Sequence, residues 1–178
     1  MTTSIKEKFI KEIVPKRQEL FGVSNVMATP KIEKVVINAR IKKDGNIDEE
    51  AVASTVLKIS GQKPVVTKAR KSISNFKIRE GMSVGVKVTL RGNRAVNFLD
   101  KLINVTLPRV RDFNGLDTKG FDKEGNYTIG LPEHIVFPEV AGDDMAHLHG
   151  LEITIKTTAK DKEKGLKLLK ELGFPFKK

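Results

Sequence analysis

No cysteine and no tryptophan occur in the 178 residues, and there is a single tyrosine. The missing thiols exclude disulfides, iron–sulfur clusters, thiolate zinc sites and cysteine nucleophiles. Aromatic content of 6% argues against a broad stacking surface for single-stranded nucleic acid. The chain has no P-loop, no G-x-G-x-x-G and no G-x-S-x-G. No apolar run is long enough to cross a membrane, and Met1-Thr2-Thr3-Ser4-Ile5-Lys6-Glu7-Lys8 lacks the apolar core of a signal peptide, so a cytoplasmic protein with no membrane partner is expected.

Anions are also scarce, with 22 against 33 Lys and Arg, a formal net charge of +11. The excess is concentrated. Residues 58–94 hold ten cations (Lys58, Lys63, Lys68, Arg70, Lys71, Lys77, Arg79, Lys87, Arg91 and Arg94) and one anion, Glu80, whereas the other 141 residues are close to balanced. A local excess of this kind reads as a docking surface for a polyanion; the competing reading is a solvated charged face. Thr67, Ser72, Ser74, Asn75, Thr89 and Asn93 are interleaved with the cations and can bond phosphate and ribose, which favours RNA. Phe76, between Asn75 and Lys77, is either core or an exposed stacking platform.

Ile5, Phe9, Ile13 and Leu20 recur at helical spacing over residues 4–21, with Pro15 kinking or dividing the helix and Gly22 ending it. Lys31 to Asn38 is β-branched and reads as a strand with Lys34 and Asn38 on one face and Val35 and Ile37 on the other. Asn46 or Asp48 caps a helix through Val52, Val56, Leu57 and Ile59 that stops at Gly61. A short strand starts at Pro64, and residues 68–81 form a long basic loop or loose hairpin. Val84, Val86, Val88 and Leu90 alternate with Gly85, Lys87, Thr89 and Arg91, the clearest strand pattern in the chain. Asn93 is the expected cap of the next helix, with Phe98, Leu99, Leu102 and Ile103 inside. Residues 109–132 are rich in turn signals, and Ile135-Val136-Phe137 reads as an edge strand. Leu151 to Lys156 alternates again, and Asp161 caps a last helix that buries Leu166, Leu169 and Leu172. The fold class is therefore α+β: one domain over residues 1–178, with helices on one face of a mainly antiparallel sheet.

Catalytic and metal signals are weak. His147-Leu148-His149 beside Asp143-Asp144 is the one conceivable metal cluster, but nothing fixes a strand there and a solvated loop is the better account. Glu49-Glu50 sits where a helix N-terminus favours negative charge. An enzyme acting on an anionic substrate needs a convergent acid, base and nucleophile, and none assembles. No cofactor, metal or catalytic residue is expected. Recognition of a folded RNA by its shape, phosphates and 2′-hydroxyls is the reading that remains.

The run Ser60 to Ser72 (SGQKPVVTKARKS), then Phe76-Lys77-Ile78-Arg79 and Val88-Thr89-Leu90-Arg91-Gly92, closely resembles the family of the fifth protein of the bacterial large ribosomal subunit. Leu107 to Phe113, Gly125 to Gly130, Ile135 to Glu139, Gly150 to Ile155 and Phe174-Pro175-Phe176 agree in the same order. The resemblance implies a non-enzymatic ribosomal protein of the central protuberance. Its implied partners are 5S rRNA, large-subunit rRNA, the peptidyl-site tRNA and a small-subunit head protein across an intersubunit bridge. Carried onto this chain, it implies a 5S rRNA face of Lys34, Asn38, Gln62, Lys63, Phe76, Lys87, Thr89 and Arg91. The loop with Lys68, Arg70, Lys71, Ser72, Lys77 and Arg79 is then the element that reaches tRNA. Two departures stand out: the family's glycine-rich turn after Asn38 is Ala39-Arg40-Ile41-Lys42 here, where Arg40 and Lys42 add charge. The usual Ala-Gly before the loop's Phe is Ser74-Asn75, and Asn tolerates positive φ better than most residues.

Overall fold

The computed structural model of the chain describes residues 4–41, 49–140, 142 and 148–177. Its main elements are α1 (Ile5–Lys8), α2 (Arg17–Phe21), β1 (Ile32–Arg40), α3 (Glu49–Ser60), β2 (Val65–Lys68), β3 (Ser83–Leu90), α4 (Gly92–Lys101), β4 (Tyr127–Leu131), β5 (Leu151–Thr157) and α5 (Lys162–Glu171). The five strands form an antiparallel sheet in the order β2-β3-β1-β5-β4, and with its helices the fold is α+β, as expected. The chain divides into two compact units, one of residues 1–35, 91–129 and 154–178 and the other of residues 36–90 and 130–153.

In the first unit, Pro15 divides the N-terminal helix as anticipated: a π turn over Phe9–Ile13 precedes it, and α2 starts afresh at Arg17 and stops at Gly22. Asp100 of α4 accepts hydrogen bonds from Ser4 Oγ (2.8 Å) and Ile5 N (2.9 Å), so a carboxylate from elsewhere in the unit satisfies the start of α1. Ala95, Phe98, Leu99 and Leu102 are buried along α4 and the π turn after it, and Leu168 and Leu169 along α5. Asn93 is not the cap of α4. Gly92 adopts a φ of 56°, a left-handed conformation that glycine enters without strain, so the chain leaves β3 and enters the helix two residues earlier, with Arg91 extended at the cap position. Asp161 does occupy the cap position of α5, but its carboxylate pairs with Lys164 Nζ at 3.1 Å and makes no capping bond.

The edge strand is also displaced from its expected place. Ile135 and Val136 lie in a 3-10 turn over His134–Val136, and the strand at that edge of the sheet is β4, eight residues earlier. Its alternation is complete: Tyr127, Ile129 and Leu131 are buried, while Thr128 and Gly130 are more open. The glycines at 125 and 130 obscure that pattern in a stretch otherwise full of turn residues. The preceding turn is held by Asp122, whose side chain accepts from the backbone N–H of Glu124 and Asn126 and from Asn126 Nδ2. Burial pushes the Asp122 carboxyl up, but these bonds outweigh it and hold the group below the ordinary carboxylate range.

Tyr127 packs against Phe121 and Phe176, with ring centroids 4.4 and 5.3 Å away, and donates its hydroxyl to the Asp117 carbonyl at 2.8 Å. Burial first, and the Asp117 charge second, push its phenol from 10.0 up to about 12. The raised value means that the fold favours the neutral phenol; this contribution is complete below pH 10 and is lost as pH rises through about 12. As Tyr127 is the only tyrosine in a chain without tryptophan, phenolate absorbance reports it alone. Its titration midpoint should lie near 12 in native buffer and return to about 10 in denaturant; a native midpoint of 10 would contradict this account.

In the second unit, α3 lays Val52, Val56 and Ile59 against β3, whose Val86, Val88 and Leu90 are buried, while Leu57 on its flank is exposed. The cap residues Asn46 and Asp48 lie outside the described residues, and α3 ends at Gly61, where φ is 65°. β2 pairs with β3 in the register Val65↔Lys87, Val66↔Val86 and Thr67↔Gly85, then slips so that Lys68 faces Ser83. A Cβ on Gly85 would stand 2.8 Å from the Ala39 carbonyl, so this position admits no side chain unless β1 moves. No turn follows Asn38 directly: β1 runs on through Ala39, which is buried, to Arg40, which is exposed, and Ile41 N donates to the Val84 carbonyl at 3.1 Å.

His149 departs from the solvated loop expected of it. It is buried with His134, the two imidazoles stack at 4.2 Å, and His134 N donates to the His149 carbonyl at 3.1 Å. The apolar positions Leu151 and Ile153 that follow draw residue 149 inward at the start of β5. His147, Asp143 and Asp144 lie outside the described residues, and among the described residues no group of three metal-ligating side chains is assembled. Nor is any described helix long and apolar enough to cross a membrane.

Candidate nucleic-acid interface

Within the second unit the strands bury one face and leave the other open. On β1, Ile37 and Ala39 are buried and Asn38 and Arg40 are not; on β3, Lys87 is exposed and Thr89 is half-buried between buried Val88 and Leu90. The alternation follows directly from the period of two that the valines of β3 display in sequence. Val65, opposite Lys87 on β2, is exposed as well, so cation and apolar methyls share one patch of the open face. Gln62, just past α3, donates its Nε2 to the Thr89 carbonyl at 3.1 Å, which fastens the turn to β3 and fixes its amide; Lys63 beside it is exposed. Asn38, Gln62, Lys63, Lys87 and Thr89 therefore belong to one rigid scaffold of strands and a helix end.

The basic segment after β2 is a loose hairpin. Ala69 N donates to the Met82 carbonyl (2.8 Å) and Gly81 N to the Ala69 carbonyl (3.0 Å); further out, Ile73 and Ile78 exchange bonds of 2.8 and 3.1 Å. Glu80 N donates to Ser72 Oγ at 3.0 Å. The slip in register at Lys68 loosens the β2–β3 ladder where the hairpin leaves the sheet. Every residue from Lys71 to Lys77 is exposed, as are Lys68, Arg70 and Arg79. Ser72, Ser74, Lys77, Ile78, Arg79 and Met82 line an open depression on it. The left-handed residue of the tip is Lys77 (φ 50°), which ends the 3-10 turn Ser74–Phe76, and Asn75 stays within that turn with negative φ.

Phe76 is 68% exposed, which removes the core alternative. It stands in the hairpin's own 3-10 turn, in sequence among the loop cations and not on a strand. Lys34 and Arg91 fall in the first unit: Lys34 on a half-buried position of β1, and Arg91 exposed ahead of α4. Sequence reasoning missed Glu152 of β5, whose carboxylate accepts from Asn38 Nδ2 at 3.3 Å. Its signal was an acid at an open position between buried Leu151 and Ile153.

Two family models match most of the chain: ribosomal protein L5 over residues 25–79, and the C-terminus of the ribosomal L5 family over residues 83–176. The chain belongs to the ribosomal protein L5 family. Among its relatives, the large ribosomal subunit protein uL5 of Oenococcus oeni is 51% identical over 182 residues, that of Pediococcus pentosaceus 52% over 182 and that of Streptococcus thermophilus 50% over 180. Each alignment covers 100% of both chains. The expected resemblance is thereby borne out, and with it the expectation of a structural, non-enzymatic protein of the cytoplasmic ribosome.

Proposed function

We propose that the chain is a structural constituent of the large ribosomal subunit that binds 5S rRNA and helps attach it in the central protuberance. The observation that carries this reading is the open face of the second unit, where Asn38, Gln62, Lys63, Lys87 and Thr89 offer cations and hydrogen-bonding groups on a fixed sheet. Amide and hydroxyl side chains interleaved with cations suit a folded RNA, whose phosphates, ribose hydroxyls and base edges are reached together. The family resemblance adds Lys34, Arg91 and Phe76 to the residues touching this RNA. The hairpin with Lys68, Arg70, Lys71, Ser72, Lys77 and Arg79 contacts the peptidyl-site tRNA, other large-subunit rRNA lies alongside, and a bridge reaches a protein of the small-subunit head. In this reading residues 1–178 act as one RNA-binding domain.

The test is the affinity of the purified protein for 5S rRNA, with Phe76→Ala as the probe. A Phe this exposed contributes little to the fold. If it stacks on a base or ribose, the variant loses roughly 1 to 3 kcal/mol of affinity while its melting temperature stays put. A variant that binds normally but melts far lower, with the roughly 3 to 5 kcal/mol penalty of a buried Phe, would overturn the assignment. Absence of 5S rRNA binding by the wild type would overturn the function itself.

A further inference from the structure

The open face contains one feature that does not suit a polyanion. Glu152 is exposed on β5, within the second unit, and its Oε2 accepts from Asn38 Nδ2 at 3.3 Å on the neighbouring strand β1. A carboxylate on a surface that docks RNA repels phosphate, and simple electrostatics predicts that removing it should tighten binding. Yet it is held against an amide that the RNA-binding reading counts among its contacts.

We propose that Glu152 is a positioning residue that orients the Asn38 amide so that it reads a base edge of the bound RNA and not a phosphate. The inference rests on the RNA-binding reading above. An Asn side chain carries two N–H donors and one acceptor oxygen. Left alone, an exposed amide turns freely about its last torsion and presents either end. With one N–H committed to Glu152, the orientation is set, and the oxygen and the second N–H remain for the ligand. Phosphate only accepts hydrogen bonds and is repelled by the adjacent carboxylate. A base edge offers donor and acceptor side by side, the pattern that an Asn amide matches with two bonds. The face is thus divided: Lys63 and Lys87 hold phosphate, and the Asn38–Glu152 pair supplies selectivity.

The experiment measures 5S rRNA affinity across a salt series for the wild type, N38A, E152A, E152Q and N38A/E152A, with melting temperatures confirming that each is folded. E152A should bind about 5- to 100-fold more weakly, the range for a base contact made with two bonds. E152Q, which keeps an acceptor oxygen within reach of Asn38, should recover to within about threefold of wild type, since its role is to accept one bond. The double variant should be no weaker than N38A, because Glu152 acts through Asn38. The slope of log affinity against log salt should be the same for all five, because no phosphate contact is gained or lost. E152A binding as tightly as wild type or tighter, E152Q as weak as E152A, additive losses in the double variant, or a slope that falls with N38A would each overturn the proposal. Wild-type binding separates the two levels: if wild type binds and E152A matches it, only this inference fails; if wild type does not bind, the RNA-binding reading fails.

Discussion

Raising monovalent salt about fourfold should lower the affinity of this protein for 5S rRNA by about two to three orders of magnitude. Under the proposed function five cations outside the hairpin face the RNA: Lys34, Lys63, Lys87 and Arg91, as the family resemblance implies, and Arg40, exposed at the end of β1. Each phosphate they neutralise releases condensed counterion, with a slope near ~0.7 for single strands and ~0.9 for duplex, so five contacts give a log–log slope of roughly −3.5 to −4.5. Lys87→Ala should flatten that slope by about one such increment. Lys87 is the cleanest probe: its strand neighbours Val86 and Val88 are buried and hold it in place, while its own side chain is exposed and contributes little to the fold. Lys123→Ala, in a turn of the first unit amid Asp122 and Glu124, should leave the slope unchanged. A salt-independent affinity would sink the reading of these cations as phosphate contacts.

Most of the scaffold was legible because it rests on short-range pattern. The period of two in β3 and β5 and the helical spacing of Val52, Val56 and Ile59 each specify which side is buried, and Pro15 and Gly61 mark real ends. What was not legible depended on partners distant in sequence or on glycine. β4 was hidden because Gly125 and Gly130 flank and interrupt Tyr127-Thr128-Ile129, and its strand character comes from its place beside β5. The start of α4 turned on a left-handed Gly92 that composition does not reveal. His149 looked like part of a polar loop, yet its burial follows from stacking on His134, fifteen residues away. The open positions of Lys87 and Thr89 on β3 followed from alternation alone. The tether from Gln62 to Thr89 and the Asn38–Glu152 pair join segments 27 and 114 residues apart and are visible only in the folded chain.

The cations at the base of the hairpin, Lys68, Arg70 and Lys71, and the sheet face should also separate by function, with Phe76 of the hairpin's 3-10 turn on the 5S rRNA side of that division. Lys68, Arg70 and Lys71 are exposed on a segment held to its scaffold by a few backbone bonds around Ala69, Met82 and Gly81 and by one pair at Ile73 and Ile78. Lys63 and Lys87, by contrast, adjoin or lie on elements whose neighbours are buried. A face fixed by core packing suits an RNA bound once at assembly, and an exposed loop with few apolar anchors suits a ligand that arrives and leaves in every elongation cycle. Replacing Lys68, Arg70 and Lys71 together with Gln should therefore leave the 5S rRNA content of purified large subunits at the wild-type level. The same ribosomes should release peptidyl-site tRNA faster. Exposed charge contacts contribute about 0.2 to 1 kcal/mol each, so three of them predict a dissociation rate raised by about 3- to 100-fold. The measurement has two parts, 5S rRNA content of gradient-purified subunits and tRNA dissociation from programmed ribosomes. If the triple variant's subunits lack 5S rRNA, these three cations belong to the 5S contact. If they retain it and tRNA leaves at the wild-type rate, the hairpin cations do not hold tRNA; either result ends the division of labour between loop and sheet.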